Sequence, residues 1–441
     1  MIKNFAKIFR SESLKRKILW TLGLVLVFQF LSVIPVPGVD VGALEALKRQ
    51  MEAQSSSGLA FFSALMGGGL SHFSIILMGL SPYINASIIL QLLTVVIPKL
   101  EALKKEGEQG QRKINQYTRL LTVPLALAQS YGMILLLNTL IGGQGTAPLI
   151  DTSNFLGAVL PAMLFVTGGT ILLMWLGEIV NEVGIGNGIS LIIFAGVLSA
   201  VPGSLAQYSG QMPVLLGLFA LTLGVIWVII RFTEGYRKIP LIYTRTGRDE
   251  RSYFPIRVNQ AGMVPIIFAI SLVTFPSIIG QILLTRGSGI SAQVGQFLTD
   301  WFNPQTGGWL FIALYFLFVL GFTFFYVSIT FNAVEVAESI QRRGGYIPGI
   351  RPGADTAKYL GDVSAHLNVW GGGFLALIAV FPYLATKLNL LFKEQGFYAL
   401  PVNNVDFIVS GAGLIIAVGT VLELMRRVDV ELKSYDYKKF R

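Results

Sequence analysis

The sequence predicts an all-α polytopic membrane protein of ten transmembrane helices in two inverted five-helix halves, with a short extra helix ahead of the second span. Three observations lead there. Hydrophobic residues make up 53% of the chain and the mean hydropathy is +0.65, far from the composition of an ordinary soluble domain. Ten apolar stretches fall near residues 18–34, 74–97, 120–141, 155–176, 188–202, 213–230, 262–281, 308–331, 369–386 and 405–424, most of them close to the roughly 20 residues that cross a bilayer core. Basic residues then alternate between the connections. Of 34 Lys and Arg, 29 lie in the N-terminus, the tail and the loops after stretches two, six and eight. Backbone polar groups at membrane depth must be satisfied within their own segment, which selects helices over open strands. An excess of Lys and Arg marks the cytoplasmic face, so both termini are expected there.

Taken in order, residues 1–17 are basic, and the apolar run behind them lacks a small-residue cleavage site. They read as a cytoplasmic segment ahead of a retained first helix. Stretches one to five occupy 18–202, stretches six to ten occupy 213–424, and 425–441 forms a cytoplasmic tail. Five crossings per half start the second half from the opposite face, as inverted repeats do. The joint, 203–212 within Val201–Pro213, is uncharged and rich in Gly, Pro and Ser, which suits a hinge or a plain outer turn. Stretches two and seven hold matching places, and both are interrupted. Phe61–Met66 and Gly67-Gly68-Gly69 precede the second, Ser81-Pro82-Tyr83 breaks it, and Pro265 and Pro276 interrupt the seventh. Broken helices at matched positions point to a transport path, although Pro kinks without function are common in membrane helices. Phe61–Met66 is too short to span and reads as a small helix or re-entrant piece sheltered from lipid.

Apart from their ends, the ten stretches carry essentially no ionisable residue. Such groups at the bilayer centre cost on the order of 3 kcal/mol and mark proton relays, ion sites and voltage sensors; their scarcity argues against an ion-coupled pump. Glu178 and Glu182 read as a solvated cytoplasmic helix end. With no cysteine, disulfides and thiolate chemistry are excluded. His72 and His366 lack companion ligands, so neither a metal nor a cofactor is expected. Asn85, Ser87 and Gln91 are the polar candidates inside the second stretch, whose plain role would be interhelical hydrogen bonding. A path lined by neutral side chains fits an extended polypeptide better than one defined ion or sugar.

Two basic loops are larger than connectors need to be. In 231–261, KIPLIYT, the charged turn TGRDER and SYFPIRV read as two β-runs around a hairpin, with Arg237, Lys238, Arg245, Arg248, Arg251 and Arg257 making it basic. The loop 332–368 holds QRRGGYIPGIRPG with Arg342, Arg343 and Arg351. Anionic lipid headgroups account for some of this charge. A shaped basic projection also suits RNA phosphates or an acidic protein. No nucleotide-binding loop is present, so a directed process would draw its energy from another protein.

SIILMGLSPYINASIILQL (Ser74–Leu92) and WLGEIVNEVGIGNGISLII (Trp175–Ile193) resemble, along their whole length, the two signatures of the SecY family, the channel subunit of the bacterial protein translocase. KKEGEQGQRKINQYTR (Lys104–Arg119), YIPGIRPG (Tyr346–Gly353) and TAKYL (Thr356–Leu360) fit that family's cytoplasmic loops, and the resemblance covers essentially the whole chain. It implies a non-enzymatic, protein-conducting channel in the bacterial inner membrane, hourglass-shaped, between helices 1–5 and 6–10. Its waist would be an apolar ring of Leu80, Ile84, Ile189, Ile193, Ile267 and Ile416. Phe61–Ser71, including Phe61, Phe62, Leu65, Gly67, Gly68, Gly69 and Leu70, would be a plug. The second and seventh helices, with Pro82, Ser87, Gln91, Pro265 and Pro276, would part as a lateral gate toward lipid. Arg237, Lys238, Arg248, Arg251, Arg342, Arg343 and Arg351 would meet the ribosome or the SecA motor, with SecE and SecG as companion subunits. Signal sequences and unfolded secretory or membrane polypeptides would be the cargo, and docking and signal binding would each favour an open state. The competing classes are a solute transporter, which usually shows a midplane charge, and a structural scaffold, in which helices two and seven would never part.

Overall fold

The computed structural model of the chain describes residues 12–53, 72–142, 148–199, 201–202, 205, 212–245, 248–286, 289–302, 308–394 and 411–439. The residues expected to form the plug, 61–71, and nearly all of the joint 203–212 lie outside the described residues. α1 (Glu12–Leu31) is followed by α2 (Val41–Ala53) and α3 (Ser81–Val96). At Ile97 the chain turns by 100° into α4 (Pro98–Lys105), because a residue before proline is driven out of the helical region. α5 (Glu108–Gly142) returns, and a π-helical turn (Phe155–Val159) leads into α6 (Leu160–Val183), then α7 (Gly188–Ser199) and α8 (Met212–Thr233). β1 (Tyr236–Arg245) and β2 (Arg248–Arg257) form a hairpin before α9 (Val264–Arg286), α10 (Ile290–Phe302) and α11 (Trp309–Thr330). The chain ends through α12 (Ala333–Arg342), β3 (Gly345–Tyr346), α13 (Ala354–Glu394) and α14 (Gly411–Lys439).

Each of the ten apolar stretches overlaps one of these helices within the described residues. Among the described residues, α5, α6, α8, α11 and α13 are each long and apolar enough to cross a bilayer, and α3 with α4 makes a sixth, bent candidate. α7 has only 12 residues, and the apolar part of α9 stops at Thr274 ahead of Pro276. α1 and α14 are diluted by charges at one end, Lys15, Arg16 and Lys17 in one and Glu423, Arg426 and Arg427 in the other.

Two sequence expectations need correction. The second stretch is not a helix broken at Ser81-Pro82-Tyr83. Residues 74–80 form turns and the helix starts at Ser81, with Pro82 in its first turn, where proline's missing N–H has no helical partner to lose. Pro265 likewise starts α9 rather than interrupting it; only Pro276 lies inside. α12, β3 and the first turns of α13 occupy most of the loop 332–368. The expected hairpin forms, pairing Lys238 with Pro255 and Ile239 with Phe254. β3 adds to it through Ile242 and Tyr346, giving the order β2-β1-β3.

Four larger apolar cores form among the described residues. One joins α2, the 72–80 turns, α5 and α6 around Phe73, Leu77, Ile134 and Val166. A second joins α8, α9, α11, α13 and α14 around Ile266, Phe311, Tyr315 and Leu375. A third lies between them and holds the candidate site. The fourth lies under the sheet: Ile239, Leu241 and Ile256 share one face and bury it on Ala337 and Ile340 of α12 and Leu360 of α13. Gly345 belongs to this join, since a Cβ there would lie 2.7 Å from the Tyr243 ring.

Candidate functional site

The third core collects all six residues expected at the waist. Leu80, Ile84, Ile193, Ile267 and Ile416 are buried in it, and Ile189 packs half-buried against it. Ile189 and Ile193 are four apart on α7 and therefore stack on one face. The carbonyl of Leu80, the residue before α3, accepts the Ile84 N–H at 2.9 Å and so opens the helix that carries Ile84. α9 contributes Ile267 from its first turns, and α14 contributes Ile416. Phe28 of α1, Leu173 and Leu176 of α6 and Phe268 of α9 surround them.

Close backbone approach fixes these positions. A Cβ on Gly169 would lie 1.9 Å from the Ile75 carbonyl oxygen, so α6 sits directly on the turn that carries Leu80. A Cβ on Gly188 would lie 2.0 Å from the Gly177 carbonyl oxygen, which sets α7, and with it Ile189 and Ile193, against α6. The turn is itself restrained. The Val36 N–H donates to the Phe73 carbonyl at 2.9 Å and the Ile75 N–H to the Ile34 carbonyl at 3.0 Å. Phe73 is fully buried at φ +43°, a region that a bulky residue occupies only when its surroundings hold it there.

Beside the cluster, among the residues that lead into α7 and α9 and those of α14, opens a polar cavity of about 720 Å³. Asn187, Arg257, Asn259, Tyr326, Glu423 and Arg426 line its walls, and Met263 and Val264 belong both to its lining and to the border of the apolar cluster. Burial lowers the Arg257 pKa, and the neighbouring Arg426 adds to this while Glu423 opposes it. Arg427 offsets some of the acid by pairing with Glu423 at 3.1 Å. The arrangement sets a charged cavity beside an apolar cluster.

α3 and α9 are in contact across this cluster. Pro82 and Pro265 are buried and Pro276 is half-buried. Ser87 and Gln91 are half-buried, and Gln91 donates to Ser87 at 3.4 Å within α3 rather than across to another helix. On the basic sheet, Arg237 and Lys238 are exposed, and Lys238 lies 5.6 Å and 5.0 Å from the Tyr236 and Tyr253 ring centres. Arg342, Arg343 and Arg351 are exposed as well; Arg342 pairs with Glu338, and the Arg351 carbonyl accepts from Thr356 ahead of α13. The side chains of Arg248 and Arg251 lie outside the described residues, although their backbones belong to β2.

Sequence reasoning missed three parts of this assembly. Glu178 is not simply solvated: it accepts from Arg119 of α5 at 2.7 Å. The union of the two basic loops through β3 rests on only two residues. Phe28, Leu173 and Leu176 complete the ring's surround from the first and fourth stretches, with no polar marker to reveal them.

Residues 74–425 match the sequence profile of the SecY family. Similar curated relatives include the protein translocase subunit SecY of Corynebacterium glutamicum, 36% identical over 98% of this chain and 98% of the relative. That of Mycobacterium tuberculosis is 36% identical over the full length of both. A solved structure described as a protein-conducting channel superposes with TM-score 0.65 at 18% identity, covering 95% of this chain and 92% of that one. Sec61 in the canine ribosome–channel complex from the endoplasmic reticulum gives 0.60 at 17% identity over 95% and 92%. These structural likenesses establish a shared fold.

Proposed function

The chain belongs to the SecY family, and we propose that it is the protein-conducting channel of a bacterial translocase. It passes unfolded secretory polypeptides across the membrane and releases transmembrane segments sideways into lipid. The observation that carries this reading is the apolar cluster drawn from α3, α7, α9 and α14, bordered by a polar cavity at Met263 and Val264. A constriction of aliphatic side chains excludes water and ions by dewetting when empty. Its side chains can fit closely around a polypeptide of any sequence, because dispersion contacts have no preferred direction.

In this reading Leu80, Ile84, Ile189, Ile193, Ile267 and Ile416 seal the resting channel, and Phe61–Ser71 is the plug beyond them. α3 and α9 part as the lateral gate when a signal sequence enters between them. The sheet β2-β1-β3 with α12 is one rigid projection, and its exposed Arg237, Lys238, Arg342, Arg343 and Arg351 meet the ribosome or the SecA motor. SecE and SecG complete the complex, and anionic lipids meet the remaining basic residues. The protein is a multi-pass membrane protein; we place it in the inner membrane with both termini cytoplasmic, as its basic residues suggest.

The test uses proteoliposomes of the chain with SecE and SecG, with SecA and an unfolded signal-bearing precursor outside. ATP- and signal-dependent protection of the precursor from protease is expected. No protection with correctly oriented, folded protein would reject the channel and return attention to solute transport. Arg351→Glu is expected to reduce motor-driven protection while leaving the chain membrane-inserted; unchanged transport would remove Arg351 from the motor contact.

A further inference from the structure

α10 is absorbed by none of the roles above. It connects α9 to α11, contacts both, and presents three distinct faces. At about 100° per residue, Gly295 and Thr299 face α9 and are buried. Contact there is at backbone distance: a Cβ on Gly280 of α9 would lie 2.8 Å from the Gly295 carbonyl oxygen and 2.8 Å from the Leu298 Cβ. Gln293, Gln296 and Asp300 form an exposed polar face. Ile290, Val294, Phe297 and Trp301, within an arc of about 60°, are 80%, 45%, 54% and 44% exposed. Four large apolar side chains in one row on a 13-residue helix are not scattered surface residues.

We infer that α10 is an interfacial membrane anchor, its Ile290–Val294–Phe297–Trp301 face seated in the headgroup–acyl boundary and its body fused to the half of α9 beyond Pro276. Lipid is the occupant for three reasons. α10 lies between the ends of two helices that line the membrane, so topology puts it at the surface. The two helix ends that α10 connects expose further apolar side chains, Leu284 near the end of α9 and Trp309 and Leu310 at the start of α11. The Phe297 and Trp301 rings lie 5.8 Å apart, and such rings settle where apolar and wet phases meet. A helix with one apolar and one polar face lies in that plane. α10 has no Lys or Arg, and Asp300 is its one charge, so seating depends on apolar area and not on anionic lipid. The Gly280–Gly295 contact then ties the far half of α9 to the surface, leaving Pro276 as the flexible point between anchored and unanchored halves. None of this depends on what the chain conducts.

The chain's lack of cysteine makes the test direct. Single cysteines at Val294, Phe297 and Gln296 in the full chain are labelled with an environment-sensitive fluorophore. The proteins are placed in nanodiscs whose lipids carry nitroxide either shallow or deep in the acyl chain. Labels at Val294 and Phe297 are expected to be quenched several-fold more than the Gln296 label, most strongly by shallow nitroxide. The pattern is expected to persist when phosphatidylglycerol is replaced by phosphatidylcholine. Equal quenching at all three sites, or none at Val294 and Phe297 with water-like emission, would overturn the assignment. Shielded emission without lipid quenching would also overturn it, giving the face to a protein partner.

Discussion

The helices that meet across the ring, α3 and α9, both start with a proline in the first turn, and only α9 carries a second one inside. The contrast bears on which jaw of the proposed gate would yield and which would stay fixed. α3 starts late. Pro82 lies in its first turn, and residues 74–80 before it are tied to the chain beyond α1 by backbone hydrogen bonds around the buried, strained Phe73. α9 starts directly behind the hairpin, after a turn in which Asn259 accepts from the Gly262 N–H at 2.9 Å, and beyond Pro265 at its start it carries Pro276 in its interior. An initial proline sacrifices no helical hydrogen bond, whereas an interior one removes a bond and crowds the preceding turn. If the two helices part as proposed, movement is expected to concentrate in α9, at Pro276.

The largest effect is expected where the fixed jaw is held. Gly169→Leu must displace the Ile75 carbonyl and the turn that carries Leu80, whereas a Cβ on Gly168, one residue away, would meet nothing within 4 Å. Gly169→Leu is expected to abolish recovery of monodisperse protein in detergent. Gly168→Ala is expected to be neutral or slightly stabilising, since Ala exceeds Gly by up to about 1 kcal/mol in a helix. Equal recovery of both variants would show that the turn yields easily and that the jaw is not fixed.

A middle-sized effect separates the ring's members. Ile416 is fully buried and Ile189 only half-buried, so truncation should leave a larger hole at Ile416. Buried Ile→Ala changes cost about 2–5 kcal/mol in soluble cores. In a membrane the apolar transfer share is small, because lipid is as apolar as the protein. The remaining packing loss predicts about 2 kcal/mol for Ile416→Ala and less for Ile189→Ala. Denaturation midpoints give the order, and ion leak through reconstituted vesicles should rise for both.

What the sequence reveals, and what it hides, follows from what hydropathy measures. The bilayer imposes a length on every crossing, so all ten stretches were legible, and two β-rich runs around a charged turn exposed β1 and β2. Hydropathy reports depth, not backbone conformation, so the apolar turns of 74–80 passed for helix even though Gly79 and Pro82 stood at their end. Nor does it separate a residue facing lipid from one facing the ring. Leu80 and Ile267 look like any aliphatic side chain in a span, and their place came from the resemblance. α10 was overlooked because it is short and nearly uncharged, although Ile290, Val294, Phe297 and Trp301 already stand at helical spacing. Arg119 and Glu178 lie on different helices, and nothing local in the sequence pairs them.

The smallest effect bears most directly on the two jaws. Pro82→Ala replaces a proline that already suits its first-turn position, so a stability change below about 1 kcal/mol is expected. Pro276→Ala restores a helical donor inside α9 and removes the clash with the preceding turn, and it is expected to straighten and stiffen that helix. Stiffening should raise the unfolding midpoint slightly and slow signal-dependent opening, read as a lower rate of cross-linking between a cysteine-tagged signal sequence and a cysteine in α3. If Pro82→Ala slowed opening as much as Pro276→Ala, the assignment of movement to α9 alone would fail. Both helices would then have to be treated as moving parts.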